Sequence, residues 1–166
     1  FAANLVIVKK RDGSTRCCVD YRSLNLITKR DCYPLPRIDQ CLDALGNNNC
    51  WFTVCDLRSG YYQVALAPQD RDKTAFVSHR GLHRYNVLPM GLSNAPSTFQ
   101  RLMDMVMSGL LFETCLVYLD DIIIFSRTLE EHLQRLEEVL QRLVSTGLKL
   151  KPSKCRLLQT RVEFLG

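Results

Sequence analysis

The stretch Cys115-Leu-Val-Tyr-Leu-Asp120-Asp121-Ile-Ile-Ile-Phe125 sets two adjacent carboxylates between two runs of mostly apolar, β-prone residues. Successive side chains of a strand point to opposite faces, so neighbouring aspartates serve one site only at a tight turn where that alternation breaks down. The expectation is a hairpin with the acids at its tip. Two-residue hairpin turns favour Asn-Gly or Asp-Gly, and Asp-Asp offers neither glycine's easy positive φ nor relief from like-charge repulsion. A hard divalent ion such as Mg²⁺ takes carboxylate oxygens and turns that repulsion into binding energy. An isolated Asp-Asp is equally compatible with a solvated turn, and the flanks decide between the two. Leu116-Val-Tyr118 and Ile122 to Phe125 are too apolar for an exposed loop, which places the acids at the rim of a buried sheet. A third acid ends a similar run, Trp51-Phe-Thr-Val-Cys-Asp56-Leu57. Two strand ends that gather three carboxylates suit a two-metal site, with ions ~3.5–4 Å apart acting on an in-line displacement.

The rest of the chain sets bounds on that reading. At 166 residues and 46% hydrophobic content the protein can bury a core as one domain or two small lobes. No apolar run is long enough to span a bilayer and no secretory leader is visible, so no membrane is expected. The chain opens inside an apolar run and stops at Phe164-Leu165-Gly166 with a strand under way, which predicts a piece of a longer polypeptide. Net charge is +5, with seven Lys or Arg against two Asp in residues 1–30 and seven against four Glu in residues 131–166. Basic flanks around an acidic centre suit a polyanion held over a metal site, although a charge this small also serves plain solubility. None of the eight cysteines forms a C-x-x-C pair, which argues against a zinc knuckle and for reduced, mostly buried thiols in an intracellular protein. His79, His83 and His132 read as structural or surface residues.

Periodicity supplies the elements. Leu5 to Lys10 and Thr15 to Tyr21 flank a turn at Arg11-Asp12-Gly13-Ser14, and Thr74 to Ser78 with Leu82 to Leu88 make a second hairpin turning at Arg80-Gly81. Tyr33-Pro-Leu-Pro-Arg37 is a proline-set connector into a short helix over Ile38 to Leu45. From Asn94-Ala-Pro96 a helix begins, with Phe99, Leu102, Met103, Val106, Met107 and Leu110 on its core face. Thr128-Leu-Glu-Glu131 is a capping box, opening a helix whose core face is Leu133, Leu136, Leu140 and Leu143 and which ends near Gly147. Leu148-Lys-Leu-Lys151 alternates as a short strand. The expected class is α+β, a sheet with helices on one face and acids at the strand ends.

The order of these pieces resembles the fingers and palm of a reverse transcriptase, most closely the polymerase domain of gypsy-type LTR retrotransposons. Nine segments carry the resemblance in order: Val8-Lys-Lys-Arg-Asp-Gly-Ser14, Cys18-Val-Asp-Tyr-Arg22 with Leu24-Asn25, Tyr33-Pro-Leu-Pro-Arg-Ile-Asp39, Asp56-Leu-Arg-Ser-Gly-Tyr61, Lys73-Thr-Ala-Phe76, Gly91-Leu-Ser-Asn-Ala-Pro-Ser-Thr-Phe-Gln100, Tyr118-Leu-Asp-Asp121, Ser153-Lys-Cys155 and Phe164-Leu-Gly166. The resemblance implies a right-hand polymerase fold, with a small antiparallel sheet backed by helices. Residues 1–29 and 64–94 would be fingers, and 30–63 and 95–166 palm, with no thumb inside the chain. Asp56, Asp120 and Asp121 match the catalytic, metal-binding aspartates, which would hold two Mg²⁺ ions, with Mn²⁺ as a substitute. One ion would acidify the primer 3′-hydroxyl and the other neutralise the leaving pyrophosphate, with Asp121 contributing least. Lys10 and Arg16 match residues that hold the incoming triphosphate. Tyr61 matches the bulky side chain that excludes a ribose 2′-hydroxyl. Met90 stands where retroviral enzymes carry glutamine, near the nucleotide sugar. Tyr118, Leu119, Arg22 and Gln100, with Arg101, are matched to primer or template contacts, and Lys154 to a general acid for pyrophosphate.

The implied activity is RNA-directed DNA polymerisation from a primer, copying RNA and also DNA. The implied partners are template, primer and deoxynucleoside triphosphates, with thumb, RNase H and integrase segments elsewhere in a Pol polyprotein housed in a cytoplasmic virus-like particle. Two alternatives stay open on the residues: a domesticated or inactive remnant that binds nucleic acid without catalysis, and an RNA-dependent RNA polymerase with a similar palm, which Tyr61 disfavours.

Overall fold

The structure, a computed structural model, describes residues 2–9, 13, 15–46 and 48–163. Its elements in chain order are β1 (Ala3–Lys9), β2 (Thr15–Val19), α1 (Arg22–Ile27), α2 (Ile38–Gly46), β3 (Trp51–Asp56), α3 (Pro68–Arg71), β4 (Phe76–Ser78), β5 (Gly81–His83), α4 (Ala95–Val106), β6 (Cys115–Tyr118), β7 (Asp121–Ser126), α5 (Leu129–Thr146) and β8 (Arg156–Gln159). Short 3₁₀ turns lie at Gly60–Gln63, Asp72–Thr74 and Pro152–Lys154. The chain divides into two units, Phe1–Cys32 with Tyr61–Pro96, and Tyr33–Gly60 with Ser97–Gly166.

The first unit carries a sheet in the order β2-β1-β4-β5, in which only β1 and β4 run parallel. The second hairpin is shorter than its sequence suggests. Ser78 faces Gly81, so His79 and Arg80 form the turn, and pairing stops at His83 instead of running to Leu88. Ala3, Val19 and Tyr21 form the core here, with Leu24, Phe76, Tyr85 and Leu92 around them. Tyr21 donates its hydroxyl to the Thr74 carbonyl at 3.0 Å, so the buried phenol keeps a partner. The helix α1 has no buried residue and therefore no apolar period to read. It is fixed by Asn25, which donates to the Gly91 carbonyl at 2.9 Å and accepts from the Ser93 N–H at 2.8 Å.

The second unit is built on an antiparallel sheet in the order β6-β7-β3-β8. Alternation sends Phe52, Val54, Leu116, Ile123 and Phe125 to one face, where they pack with Cys41, Ala44 and Leu45 of α2. Thr53 and Ser126 point to the other face and meet His132 of α5. Helices therefore cover both faces rather than one, because α2 has an apolar edge of its own to bury.

The cap of α5 is where the sequence put it. Thr128 Oγ1 accepts from the Glu131 N–H at 3.2 Å, and Gly147 sits at φ 74° with Leu148 N bonded back to Leu143 O at 3.0 Å, a Schellman ending. Its buried stripe is His132, Val139 and Leu143. Of the expected leucine face Leu143 is buried, while Leu133 and Leu140 are 50% and 36% exposed, so the buried stripe is rotated toward His132 and Val139. The reason is polar: His132 finds two hydroxyl partners on the sheet and takes a core position with them. The face of α4 is as expected, with Phe99, Met103, Val106 and Met107 buried.

Two further expectations change. Leu148–Lys151 makes only an isolated bridge, Leu57 to Leu150, before Pro152 turns the chain. Of the eight cysteines, all reduced, Cys41, Cys55 and Cys115 are buried, while Cys17, Cys32 and Cys50 are exposed. Among the described residues no helix is long and apolar enough to cross a membrane.

Candidate active site

Asp56 closes β3 and Asp121 opens β7, and the two stand directly opposite each other in the antiparallel ladder. Tyr118 also pairs with Asp121 across the β6–β7 hairpin, so the two residues at its tip are Leu119 and Asp120. The sequence reading put the Asp-Asp pair itself at the tip; the structure moves the turn back by one residue. The left-handed position falls on Leu119, at φ 54°, as a turn with positive φ at its first central residue requires. For a residue with a Cβ this costs ~1–2 kcal/mol, so the surroundings must hold it.

The residue that holds it is Gln100 on α4. Its Oε1 accepts from the Leu119 N–H at 2.9 Å, and its Nε2 donates to the Val117 carbonyl at 3.1 Å and to Asp104 Oδ1 at 2.9 Å. Gln100 is fully buried. The expected contact of this side chain with primer or template is therefore corrected: its amide is spent on the turn. A signal existed in the sequence, since Gln100 lies three and seven residues before Met103 and Met107, a polar residue on a core stripe.

Asp120 is admitted by bare backbone. A Cβ on Gly60 would stand 2.4 Å from Asp120 Oδ1 and 2.8 Å from Phe99 Cζ, closer than atoms pack. Asp120 Oδ1 is buried and has no hydrogen-bond partner among the described residues, an arrangement that is destabilising unless something else meets it. Burial pushes the Asp120 carboxyl above the usual carboxylate range, and the nearby Asp121 and Asp56 charges push further. Asp121 is raised in the same way, by burial and then by Asp56. The cation on hand is Lys154, whose Nζ pairs with Asp56 Oδ2 at 2.8 Å. That hydrogen bond, more than any other influence, raises the Lys154 ammonium. Lys154 is carried there by the Lys151 N–H, which bonds to the Asp56 carbonyl at 2.8 Å ahead of the 3₁₀ turn.

An orphaned carboxylate oxygen, mutual repulsion among three acids and an all-oxygen donor set fit a hard divalent cation. Among the described residues no three His, Cys, Asp or Glu side chains are gathered closely enough to enclose an ion, with Asp56 drawn toward Lys154. Beside the acids lies an open cavity of about 400 Å³, lined by Asp56, Asp121, Lys154 and Arg156 among others.

The other expected site residues are placed as follows. Lys10 and the Phe164-Leu-Gly166 segment lie outside the described residues. Arg16 faces Val8 in the β1–β2 hairpin. Arg22 is exposed and forms a two-pronged pair with Asp20, Nη2 to Oδ2 at 2.6 Å, which holds the Asp20 carboxyl down at about 2. Tyr61 lies on the 3₁₀ turn after Gly60, and its neighbour Tyr62 stacks on Tyr85 with centroids 6.0 Å apart. Arg16, Arg22, Tyr61 and Met90 belong to the first unit; the three acids, Tyr118, Leu119, Gln100 and Lys154 belong to the second.

Comparison with known proteins gives one answer. Residues 8–166 match the family described as Reverse transcriptase (RNA-dependent DNA polymerase). The Retrovirus-related Pol polyprotein from transposon 297 of Drosophila melanogaster is 44% identical over 165 residues, covering 97% of this chain and 16% of the polyprotein. That from transposon gypsy of the same species is 40% identical over 151 residues, covering 91% and 14%. The chain thus spans about a sixth of the length of these relatives. Among solved structures, the foamy viral protease-reverse transcriptase in complex with RNA/DNA hybrid superposes with a TM-score of 0.88 at 27% identity, over 100% of this chain and 22% of that one. A form of the same enzyme in complex with double-stranded DNA gives 0.89 at 27% identity, over 100% and 29%. A mixed fold with an acid-rimmed antiparallel sheet, matched along nearly its whole length by these polymerases, identifies the chain as a member of the reverse transcriptase family.

Proposed function

We propose that the chain is the fingers and palm of an RNA-directed DNA polymerase, which adds deoxynucleotides to a primer 3′-hydroxyl on an RNA template and also on DNA. Its natural setting is a retrotransposon Pol polyprotein that supplies the remaining segments. The observation that carries this is the pairing of Asp56 with Asp121 at the sheet rim, beside the buried, unpartnered Oδ1 of Asp120. Carboxylates so placed are costly in an inert protein and useful in one that gathers cations over a polyanionic substrate.

In this reading Asp56, Asp120 and Asp121 hold a pair of divalent ions, Mg²⁺ by preference. When bound, those ions supply a more acidic 3′-hydroxyl and neutralise charge on the departing pyrophosphate. Asp120 follows Leu119, whose N–H Gln100 holds, so that clamp fixes the backbone from which the Asp120 carboxylate reaches an ion. Lys154 leaves Asp56 and carries its proton toward the pyrophosphate oxygen. Lys10 and Arg16 grip the triphosphate, a point charge and a planar fork for the same anion. Met90 contacts the sugar, Tyr118 and Leu119 the primer end, and Arg22 the template backbone. The assignment of the first unit to fingers and the second to palm belongs to the same reading.

Primer extension on an RNA template, with the longest polypeptide that carries the chain, tests it. Extension that requires Mg²⁺ and vanishes in Asp56→Asn is expected; extension that survives would sink the metal site. A remnant that only binds would retain RNA–DNA affinity in a filter assay and extend nothing at all.

Tyr61 gives a second expected result. With a phenol ring as the barrier to a 2′-hydroxyl, Tyr61→Val opens space for ribose and reduces the preference for deoxynucleotides by about 10–100-fold. Single-nucleotide incorporation of dNTP against rNTP measures it, and unchanged selectivity removes Tyr61 from this role.

A further inference from the structure

The clamp on the hairpin turn does not end at Gln100. A carboxamide has an acceptor end and a donor end of nearly the same shape, and its neighbours decide which way it faces. For Gln100 the Val117 carbonyl and the Leu119 N–H set that direction, and Asp104, one helical turn along α4, takes the second hydrogen of Nε2 and so holds the amide in place. The Asp104 carboxylate accepts at both oxygens: its Oδ1 takes Gln100 Nε2 at 2.9 Å, behind the Oε1 that holds the Leu119 N–H. The other oxygen, Oδ2, accepts the Tyr33 hydroxyl at 2.6 Å. Tyr33 is in turn held under the Arg101 guanidinium, 4.8 Å above the ring centroid, a cation–π contact that fixes the ring. Every donor in this row faces an acceptor, and the polarity runs one way, from the Tyr33 hydroxyl through Asp104 to the amide that grips the turn.

We propose that Tyr33 and Asp104 are positioning residues for the catalytic turn, acting through Gln100 to hold Leu119 in its left-handed conformation and Asp120 at its aim. This rests on the function proposed above and adds two residues to it, neither of which touches a substrate. The turn has a strained Leu119 and an unpartnered Asp120 oxygen, so without a polarised clamp it relaxes. A reacting oxygen displaced by about 1 Å can lose ~10²-fold in rate. The relay predicts a graded loss. Removing the Tyr33 hydroxyl leaves Asp104 able to hold the amide, whereas removing the Asp104 carboxylate strands one Nε2–H of Gln100 and leaves the amide anchored by Val117 and Leu119 alone.

The test uses the longest polypeptide that carries the chain, with Tyr33→Phe, Asp104→Leu and Asp104→Asn. Single-nucleotide incorporation is measured alongside Mn²⁺ affinity by electron paramagnetic resonance. Tyr33→Phe keeps the ring under Arg101, so it is expected to fold and to lose about threefold to tenfold in kcat, with KM for the nucleotide within about twofold. Asp104→Leu is expected to lose about 30–100-fold in kcat and to bind Mn²⁺ more weakly. Asp104→Asn, which still offers Gln100 one acceptor, is expected to recover most of that kcat. Wild-type kcat and Mn²⁺ affinity in both Tyr33→Phe and Asp104→Leu would overturn the proposal. So would a kcat loss in Asp104→Leu that Asp104→Asn does not relieve. Asp120→Asn in the same assay keeps the two levels apart: if Asp120→Asn is inactive while the Tyr33 and Asp104 variants behave as wild type, the polymerase reading stands and the relay falls. If Asp120→Asn stays active, the metal site itself is wrong.

Discussion

Asp120→Asn is expected to do two opposite things at once: to abolish primer extension, by about 10³-fold or more, and to make the metal-free protein harder to unfold. The first follows from removing a charged oxygen donor at the place where divalent ions are proposed to bind. The second follows from the electrostatics of the acids. Burial, Asp121 and Asp56 together raise the Asp120 carboxyl above its ordinary value of 3.8. A carboxyl with a higher folded than unfolded pKa is easier to bury protonated. Its ionisation therefore removes stability as pH rises from the ordinary value through the raised one. Asparagine has the same shape without the charge. Relief of about 1 kcal/mol is expected, which for a chain of this size raises the thermal midpoint by roughly 2–4 °C. Heating scans in EDTA at pH 7 and near pH 4 check the sign: the gap between variant and wild type narrows at the lower pH. Added Mg²⁺ then separates structure from function, because ligand binding to the folded state stabilises only the protein that binds it. Wild type is expected to gain in midpoint with Mg²⁺ and Asp120→Asn to gain less. A variant that is less stable than wild type in EDTA at pH 7 would contradict the repulsion described at this turn.

How far the sequence carries toward this site depends on which contacts are local. The hairpin from Cys115 to Phe125 and the strand ending in Asp56 are legible because apolar β runs with acids at their ends have few other readings. The start and end of α5 are legible because Thr128, Glu131 and Gly147 satisfy backbone groups within a few residues of themselves. What fails is whatever depends on a partner far along the chain. The turn slips by one residue because the Asp56–Asp121 and Tyr118–Asp121 pairings, and not turn propensity, set the register; Leu119 accepts the left-handed position because Gln100 is there to hold it. The resemblance matches Gln100 to a primer or template contact. Its neighbours Met103 and Met107 on the same stripe argue the other way, and a polar residue in a core period is a sign of a buried hydrogen-bond network. The Lys154–Asp56 pair is 98 residues apart in sequence, and no local pattern encodes it.

His132 shows the same logic with the largest consequence for stability. The ring is fully buried, with Nδ1 2.9 Å from Ser126 Oγ and Nε2 2.7 Å from Thr53 Oγ1. The network fixes the tautomer. Ser126 Oγ donates to the Thr128 carbonyl at 3.0 Å, so it accepts from Nδ1–H. Thr53 Oγ1 accepts from the Leu158 N–H at 3.1 Å, so it donates to Nε2. That Leu158 N–H belongs to a bulge, where Phe52 pairs with Gln159 and Val54 with Arg156, leaving two residues of β8 opposite Thr53 and Leu158 at φ 52°. One neutral ring thus ties α5 to β7 and β3 and, through Thr53, to the irregular edge strand. His132→Leu is expected to cost about 2–4 kcal/mol, since it strands the Thr53 hydroxyl and removes the donor to Ser126 in a dry interior. Acid should reproduce part of that loss. Burial first, and then the Arg135 charge, hold the His132 pKa below its ordinary 6.5, so the folded state favours the neutral ring. The stability this contributes is present above pH 6.5 and is lost as pH falls below it toward the lowered folded value. Urea unfolding at pH 7.5 and pH 5.5 separates this from other titrations: wild type loses midpoint between the two, while His132→Leu starts lower and loses less. If the variant and wild type fall in parallel, the pH response comes from other groups and His132 is only a packing residue.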